Sequence, residues 1–303
     1  MKKVLSFGLK LLVSLTLLYL FFSKVDIHNI LATLKHTNLT IFFAGFAVYT
    51  SSIFISAKRW SLFLPPFVRY SRLASLYFIG AFFNTFLPGL VGGDAVKAYY
   101  LYKEKCEIGA SLASVFMDRY MGLTALAIIG FIAFIFGHNY LEGTKLFWLV
   151  PIFCGTFIFA SLFFWNINWG KIKFLSTFHK PLMEFKKKGD VIFKGLFLGL
   201  IIQSVVITSF YILSLSLGFD LDIIYFFLFI PLITVATAVP LSVAGLGIRE
   251  AGFLILFTKA GMTEVEALSL SLLIFINMSI VSLIGGLEFF RLSKPSKKFE
   301  VKN

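Results

Sequence analysis

The chain has 303 residues, of which 58% are hydrophobic, 18% aromatic and only 14% charged, and its mean hydropathy is +0.90. A soluble domain of this size carries charge on close to a quarter of its residues, so the composition excludes a water-soluble globular fold and calls for a bilayer. The net charge of +13 would suggest nucleic acid in a soluble protein, but here it fits the lysines and arginines of cytoplasmic loops in a membrane protein.

In chain order, residues 4–22 form the first expected span. Lys10 interrupts it and no small-residue cleavage site follows, which favours a retained helix over a signal peptide. The second span, 39–57, ends at Lys58, Arg59 and Trp60, a charged and aromatic group that reads as an interface anchor. Residues 70–87 are a third apolar segment, running into the break PGLVGGDAVK (88–97), and a short helix follows over 94–105. The segment 108–136 exceeds the roughly 20 residues that a span needs. Residues 146–165 span next, followed by a basic loop over 171–194 and a span over 195–217. Residues 223–239 run into a second break, PLSVAGLGIRE (240–250), with a short helix over 249–260, a last span over 267–290 and a basic tail.

Each break puts proline, glycine and charge where a membrane helix would otherwise continue. If both are re-entrant hairpins, nearly all lysines and arginines fall on one side of the membrane. Lys24, Lys35, Lys145 and Lys259 fall on the other, and Lys10, Arg119 and Arg249 within it. That is the asymmetry expected of cytoplasmic loops; fully crossing hairpins, giving ten spans, are the alternative. The re-entrant reading yields an all-α polytopic membrane protein with about six full spans and two re-entrant helical hairpins arranged as inverted repeats. The repeats are 1–140, with hairpin 71–105, and 141–303, with hairpin 223–260. EIGASLAS (107–114) and EVEALSLS (264–271) are weakly alike at corresponding places. Transporters often place their substrate where such inverted, interrupted helices meet.

Irregular backbone at membrane depth survives only inside protein or against a wet cavity. Gly92 and Gly93, and Gly245 and Gly247, allow turns and close approach. Asp94 can cap the helix it begins. Lys97 and Arg249 lie in the first turns of half-helices, whose free N–H groups suit an anion. Asp118 and Arg119 are adjacent charges in a long span, costly there and therefore rarely accidental. They point about 100° apart, so they call for different partners: Arg119 for Glu250, and Asp118 for Arg249 or Lys97. Asn84, Gln203, Ser242 and Asn277 are further polar groups in apolar segments. Structural roles compete with each of these: a helix cap for Asp94, snorkelling for Lys97, buried ion pairs for Asp118/Arg119 and Arg249/Glu250, and inter-helix bonding for Gln203 and Asn277. Ser242 has no His/Asp partners for a hydrolase triad. Cys106 and Cys154 read as packing residues. His28, His36, His138 and His179 are scattered, no metal-ligand spacing is present, and no cofactor is expected.

FNTFLPGLVGGDAVK (83–97), DRYMGL (118–123) and VPLSVAGLGIRE (239–250) together resemble the lysylphosphatidylglycerol synthase transmembrane region, also called the flippase-like domain, over nearly the whole chain. The resemblance implies an integral protein of a bacterial or archaeal cytoplasmic membrane, multi-pass, with both termini cytoplasmic. In the fused aminoacyl-phosphatidylglycerol synthases this region is linked to moving the modified lipid between leaflets. Lys97 stands where many members are expected to carry arginine, which softens a phosphate contact. The chain ends at Asn303, so the soluble aminoacyltransferase domain is expected to be absent, and neither lysine transfer nor tRNA or other nucleic-acid binding is inherited.

The favoured function is translocation of an anionic phospholipid or a polyprenyl-phosphate-linked lipid, without an enzymatic activity. Asn84, Gly92, Gly93, Asp94, Lys97, Asp118, Arg119, Ser242, Gly245, Gly247, Arg249, Glu250 and Asn277 are the candidate headgroup-binding residues. The competing function is a membrane-embedded enzyme or an accessory subunit of envelope lipid or glycan synthesis. A homo-oligomer or an envelope-synthesis partner is compatible with either.

Overall fold

The computed structural model describes residues 16, 26–86, 92–167, 173–238, 242 and 245–293. The expected first span (4–22), residues 87–91 of the first break, 239–241 and 243–244 of the second, and the tail from 294 lie outside them. Among the described residues the chain is helical, with no strand. The helices are α1 (Ile27–Lys35), α2 (Leu39–Ser61), α3 (Tyr70–Phe86), α4 (Gly92–Lys103), α5 (Ile108–Gly137), α6 (Leu149–Asn166), α7 (Lys173–Lys187), α8 (Gly189–Ser216), α9 (Ile223–Ala238), α10 (Ile248–Phe257) and α11 (Glu264–Ser293).

Among the described residues, five stretches are long and apolar enough to cross a membrane: Leu39–Ser61, Ile108–Tyr140, Leu146–Asn166, Gly189–Ser216 and Glu264–Leu292. The fold is that of a polytopic membrane protein. In a bilayer, apolar side chains give helices little reason to associate, so small residues and polar pairs must hold them together. The two spans packed most extensively, α2 and α8, show this. Gly45 takes the side chain of Leu213, Phe63 closes on Gly195, and Arg59 lies beside Gly199. Tyr49 stacks on Phe210, and the Asn38 N–H donates to Ser216 O at 2.7 Å. These contacts run in opposite chain directions, so the two helices are antiparallel. Asn38 also caps α2, accepting from the N–H groups of Thr40 and Ile41.

Both interrupted segments fold back as antiparallel helical hairpins. In the first, Arg72 bonds Glu104, Lys97 lies over the Tyr77 ring and the Gly93 N–H donates to Asn84. In the second, Phe226 meets Phe257, Ile233 meets Gly252 and Thr237 meets Gly245. The return helices α4 and α10 have 12 and 10 residues. At about 1.5 Å per residue both are far shorter than a bilayer's roughly 30 Å core.

Three elements differ from the sequence reading. The basic stretch 171–194 is largely helical: α7 is amphipathic, and Phe178, Leu182 and Phe185 pack with Phe63, Met117 and Met121. The span after it begins at Gly189, ahead of the expected 195. Ahead of α2 lies a second short amphipathic helix, α1, whose Ile30 packs with Leu268 of α11. The elements pack in matching ways: α3 on α11 and α9 on α5, α4 on α5 and α10 on α11, α1 on α11 and α7 on α5. Cys106 and Cys154 are buried free thiols. Burial, aided by the Glu104 charge, pushes the Cys106 thiol's pKa up, as suits a packing residue.

Candidate functional site

A cavity of about 400 Å³ with several charged residues in its wall opens among α2, α3, α4, α5, α8 and α9. Its wall carries Arg59, Tyr77, Asp94, Lys97, Asp118, Arg119 and Gln203, with Gly122, Leu123, Leu126, Thr234 and Ala238 completing it. Five of the polar side chains are ionisable charges, in a bundle whose composition otherwise avoids them.

The charges are cross-braced between elements. On α5, Asp118 is 1% exposed and accepts from Arg59 Nε of α2 at 2.8 Å and from the Tyr77 hydroxyl of α3. One turn into α4, Asp94 accepts from Arg119 Nε at 2.7 Å and lies 3.3 Å from Lys97 Nζ. Lys97 is 3% exposed, with its ammonium 4.0 Å from the centre of the Tyr77 ring and 5.1 Å from that of Trp60. Trp60 in turn donates to Ser114 of α5. The arrangement therefore ties the first hairpin to two spans. The side chain of Arg119 stays 46% exposed, the most accessible cation of the group.

Close packing places these groups. A Cβ on Gly93 would collide with the carbonyl oxygen of Gly80 and with Asn84, so only glycine lets α4 start against α3. Asn84 caps that turn through Gly93 and does not line the cavity. Gly92 opens α4 beside it.

A second cavity, about 250 Å³, lies at the other hairpin. Tyr49, Val206, Phe210, Ile230, Ile233, Phe253, Ile274 and Met278 make it mainly apolar, and Arg249 is its one charge among the described lining residues. Gln203 and Thr234 line both cavities. Arg249 Nη2 bonds Glu250 Oε1 at 2.6 Å, Nε reaches Ser271 at 3.3 Å, and the guanidinium lies over the Phe275 ring. Glu250 Oε2 accepts from the Gly247 N–H at 2.6 Å. Gly245 and Gly247 have φ of 75° and 86°, a left-handed backbone that side chains disfavour.

With this geometry in view, comparison with known families is direct: the model of the lysylphosphatidylglycerol synthase TM region matches residues 8–286. The chain belongs to this family. A search of curated proteins finds no match.

Within this lysylphosphatidylglycerol synthase TM-region fold, Asp94, Lys97, Asp118 and Arg119 come together as a cluster. The expected pairings are corrected. Arg119 meets Asp94 rather than Glu250, because α4 and α5 are sequential neighbours in the same half. Asp118 takes Arg59 and Tyr77 rather than Arg249 or Lys97. Arg249 and Glu250 pair with each other, outside the main cavity. Ser242 and Asn277 are buried, and the Ser242 hydroxyl and both Asn277 amide atoms have no hydrogen-bond partner; neither lines the two cavities. Gln203 joins helices as expected, its amide donating to Gly122 O at 3.2 Å.

Arg59 and Tyr77 are the functional candidates that the sequence reading missed. As the middle of Lys58-Arg59-Trp60, Arg59 passed for part of an interface anchor, yet it is 5% exposed and Trp60 fully buried. The signal was present: Ser52, Ser56 and Arg59 recur at helical spacing on one face of an apolar helix, and all three are buried.

Proposed function

We propose that this membrane protein moves an anionic lipid, a phospholipid or a polyprenyl-phosphate-linked lipid, between the leaflets of a bacterial or archaeal cytoplasmic membrane, with both termini cytoplasmic. The observation that carries the reading is the cavity of about 400 Å³ lined by Arg59, Lys97, Arg119, Asp94 and Asp118. Charges at such depth are costly and tend to mark a substrate path. The headgroup enters this cavity and the hydrocarbon tail stays in the bilayer.

The same reading gives the two hairpins their purpose. The antiparallel α2 and α8, each preceded by an amphipathic helix and followed by a hairpin and a long helix, support an inverted-repeat architecture in which one half rocks against the other. Family membership agrees with a lipid-handling membrane domain. Lipid is exchanged without chemical change, so the protein acts as a transporter and not as an enzyme.

The test is leaflet exchange of headgroup-labelled lipids in vesicles carrying the purified chain. Wild type is expected to exchange an anionic lipid faster than protein-free vesicles, and Arg119→Ala to lose most of that gain. Equal rates for wild type, Arg119→Ala and protein-free vesicles across the lipids would sink the reading.

A further inference from the structure

We infer that the cavity is matched to a phosphate diester bearing a single negative charge, and that Arg59 donates to it. This rests on the headgroup cavity proposed above and names the class of ligand that fits it.

The first observation is an orphan donor. Arg59 uses Nε on Asp118, but its Nη1 is buried and has no hydrogen-bond partner. Arg59 lines the cavity, as does Gly122. A Cβ on Gly122 would come 3.3 Å from Nη1, and one on Gly199 would come 3.4 Å from it. The two glycines make room for the guanidinium against α5 and α8, with Gly122 at the cavity wall, and a small shift of the side chain brings the closed-off Nη1 to a ligand oxygen. A buried guanidinium nitrogen without an acceptor is a standing cost that a ligand oxygen removes, and phosphate oxygens match the fork of arginine.

The second observation is charge balance. Arg59, Lys97 and Arg119 face Asp94 and Asp118 across the same cavity. Each carboxylate is paired with a cation, although Asp94 Oδ1 lacks a hydrogen bond, so the described lining residues keep one cation in excess. A monoanionic diester neutralises it. A zwitterionic headgroup leaves it standing, and a diphosphate overshoots to net negative charge. Away from bulk water, uncompensated charge of either sign is expensive. The excess therefore selects by ligand charge, while the Arg59 donor selects for phosphate.

The experiment is native mass spectrometry of the full chain in detergent, titrated with dioleoylphosphatidylglycerol, dioleoylphosphatidylcholine and farnesyl diphosphate. Wild type is expected to bind the first about tenfold more tightly than either of the others. Asp94→Asn, close in shape and raising the excess by one charge, shifts the ratio toward the diphosphate about tenfold. Arg59→Lys keeps the charge but lacks the Nη1 donor, so all three ligands weaken while their order holds. Thermal unfolding of each variant is measured alongside; if Arg59→Lys does not fold, Asp94→Asn decides alone. Identical ligand ratios in wild type and Asp94→Asn, or wild-type affinities in a folded Arg59→Lys, overturn the inference. Charge-matched binding without leaflet exchange removes translocation and leaves this inference standing; exchange without charge matching does the reverse.

Discussion

The two hairpins share an architecture and differ in how they use their charges. In α3/α4, charges reach across elements: Asp94 to Arg119 of α5, and Tyr77 to Asp118, which Arg59 of α2 also holds. They surround the larger cavity. In α9/α10, Arg249 turns to its own neighbour Glu250, which also ties down the Gly247 N–H, and the adjoining cavity is mostly apolar. The charges of the first hairpin reach other helices and line the larger cavity, whereas those of the second pair with each other and with Ser271 of α11. A motif containing Arg and Glu can thus brace its own turn, and the partners decide what such charges do.

Variants that break each set of partners test this contrast, and the largest effect on folding is expected at Asp118. Asp118→Ala strands Arg59 in the bundle, and breaking a buried pair from one side costs about 3–5 kcal/mol. Thermal unfolding in detergent should show it. Replacing both partners, Arg59→Met with Asp118→Leu, should recover most of that stability, because no buried charge is left alone, while leaflet exchange stays lost. Recovery of exchange in the double variant would remove the pair from the site. Next comes Glu250→Ala, which unpairs Arg249 and the Gly247 N–H together and should cost roughly 3 kcal/mol. Its signature is different: the stability loss should come without any change in which headgroup binds best. A changed headgroup order in Glu250→Ala would make the second hairpin part of the binding site and end the contrast.

The order of these effects also shows what was legible in the sequence. The first chain break stood out, because proline, glycine and charge are out of place in an apolar run, and it drew attention to Asp94 and Lys97; Asp118 and Arg119 stood out as adjacent charges within a long span, and the structure brings all four to one cavity. The 100° between adjacent helical residues already implied that Asp118 and Arg119 have different partners. Which partners depended on how each helix is rotated and which neighbour it meets, and neither is written in local pattern. Arg59 was hidden by position, since a cation followed by tryptophan at the end of an apolar run looks like an interface anchor. The helix α7 was hidden by charge: its lysines read as loop, although Phe178, Leu182 and Phe185 keep helical spacing toward the core.

A smaller effect is expected where backbone closeness, rather than charge, holds α3. A Cβ on Gly285 of α11 would run into the Phe78 carbonyl oxygen, and neither backbone can yield without shifting its helix. Gly285→Ala should cost about 1–3 kcal/mol, as overpacking does. Gly261 has nothing near the place of its Cβ, but its φ is 100°, so its substitution would test backbone strain instead. Gly155 has open space and no such backbone. Gly155→Ala should therefore leave unfolding unchanged or slightly raised, and an equal loss at both positions would refute close packing as the cause at Gly285.

The smallest effect on folding is expected at Arg119, and it separates the hairpins most sharply. Its side chain is 46% exposed, and Asp94 keeps Lys97 as a second cation when it is removed. Asp94 thus keeps a charge partner, so Arg119→Ala should lose less stability than either Asp118→Ala or Glu250→Ala. Its loss nonetheless takes away the most accessible positive charge of the cavity, and exchange of an anionic lipid should fall about tenfold or more. Glu250→Ala shows the converse pattern, with folding damaged and headgroup order kept. If Arg119→Ala instead destabilised the protein as much as Asp118→Ala, while sparing exchange, the exposed cation would be a brace like Arg249, and the two hairpins would be alike in purpose as well as in shape.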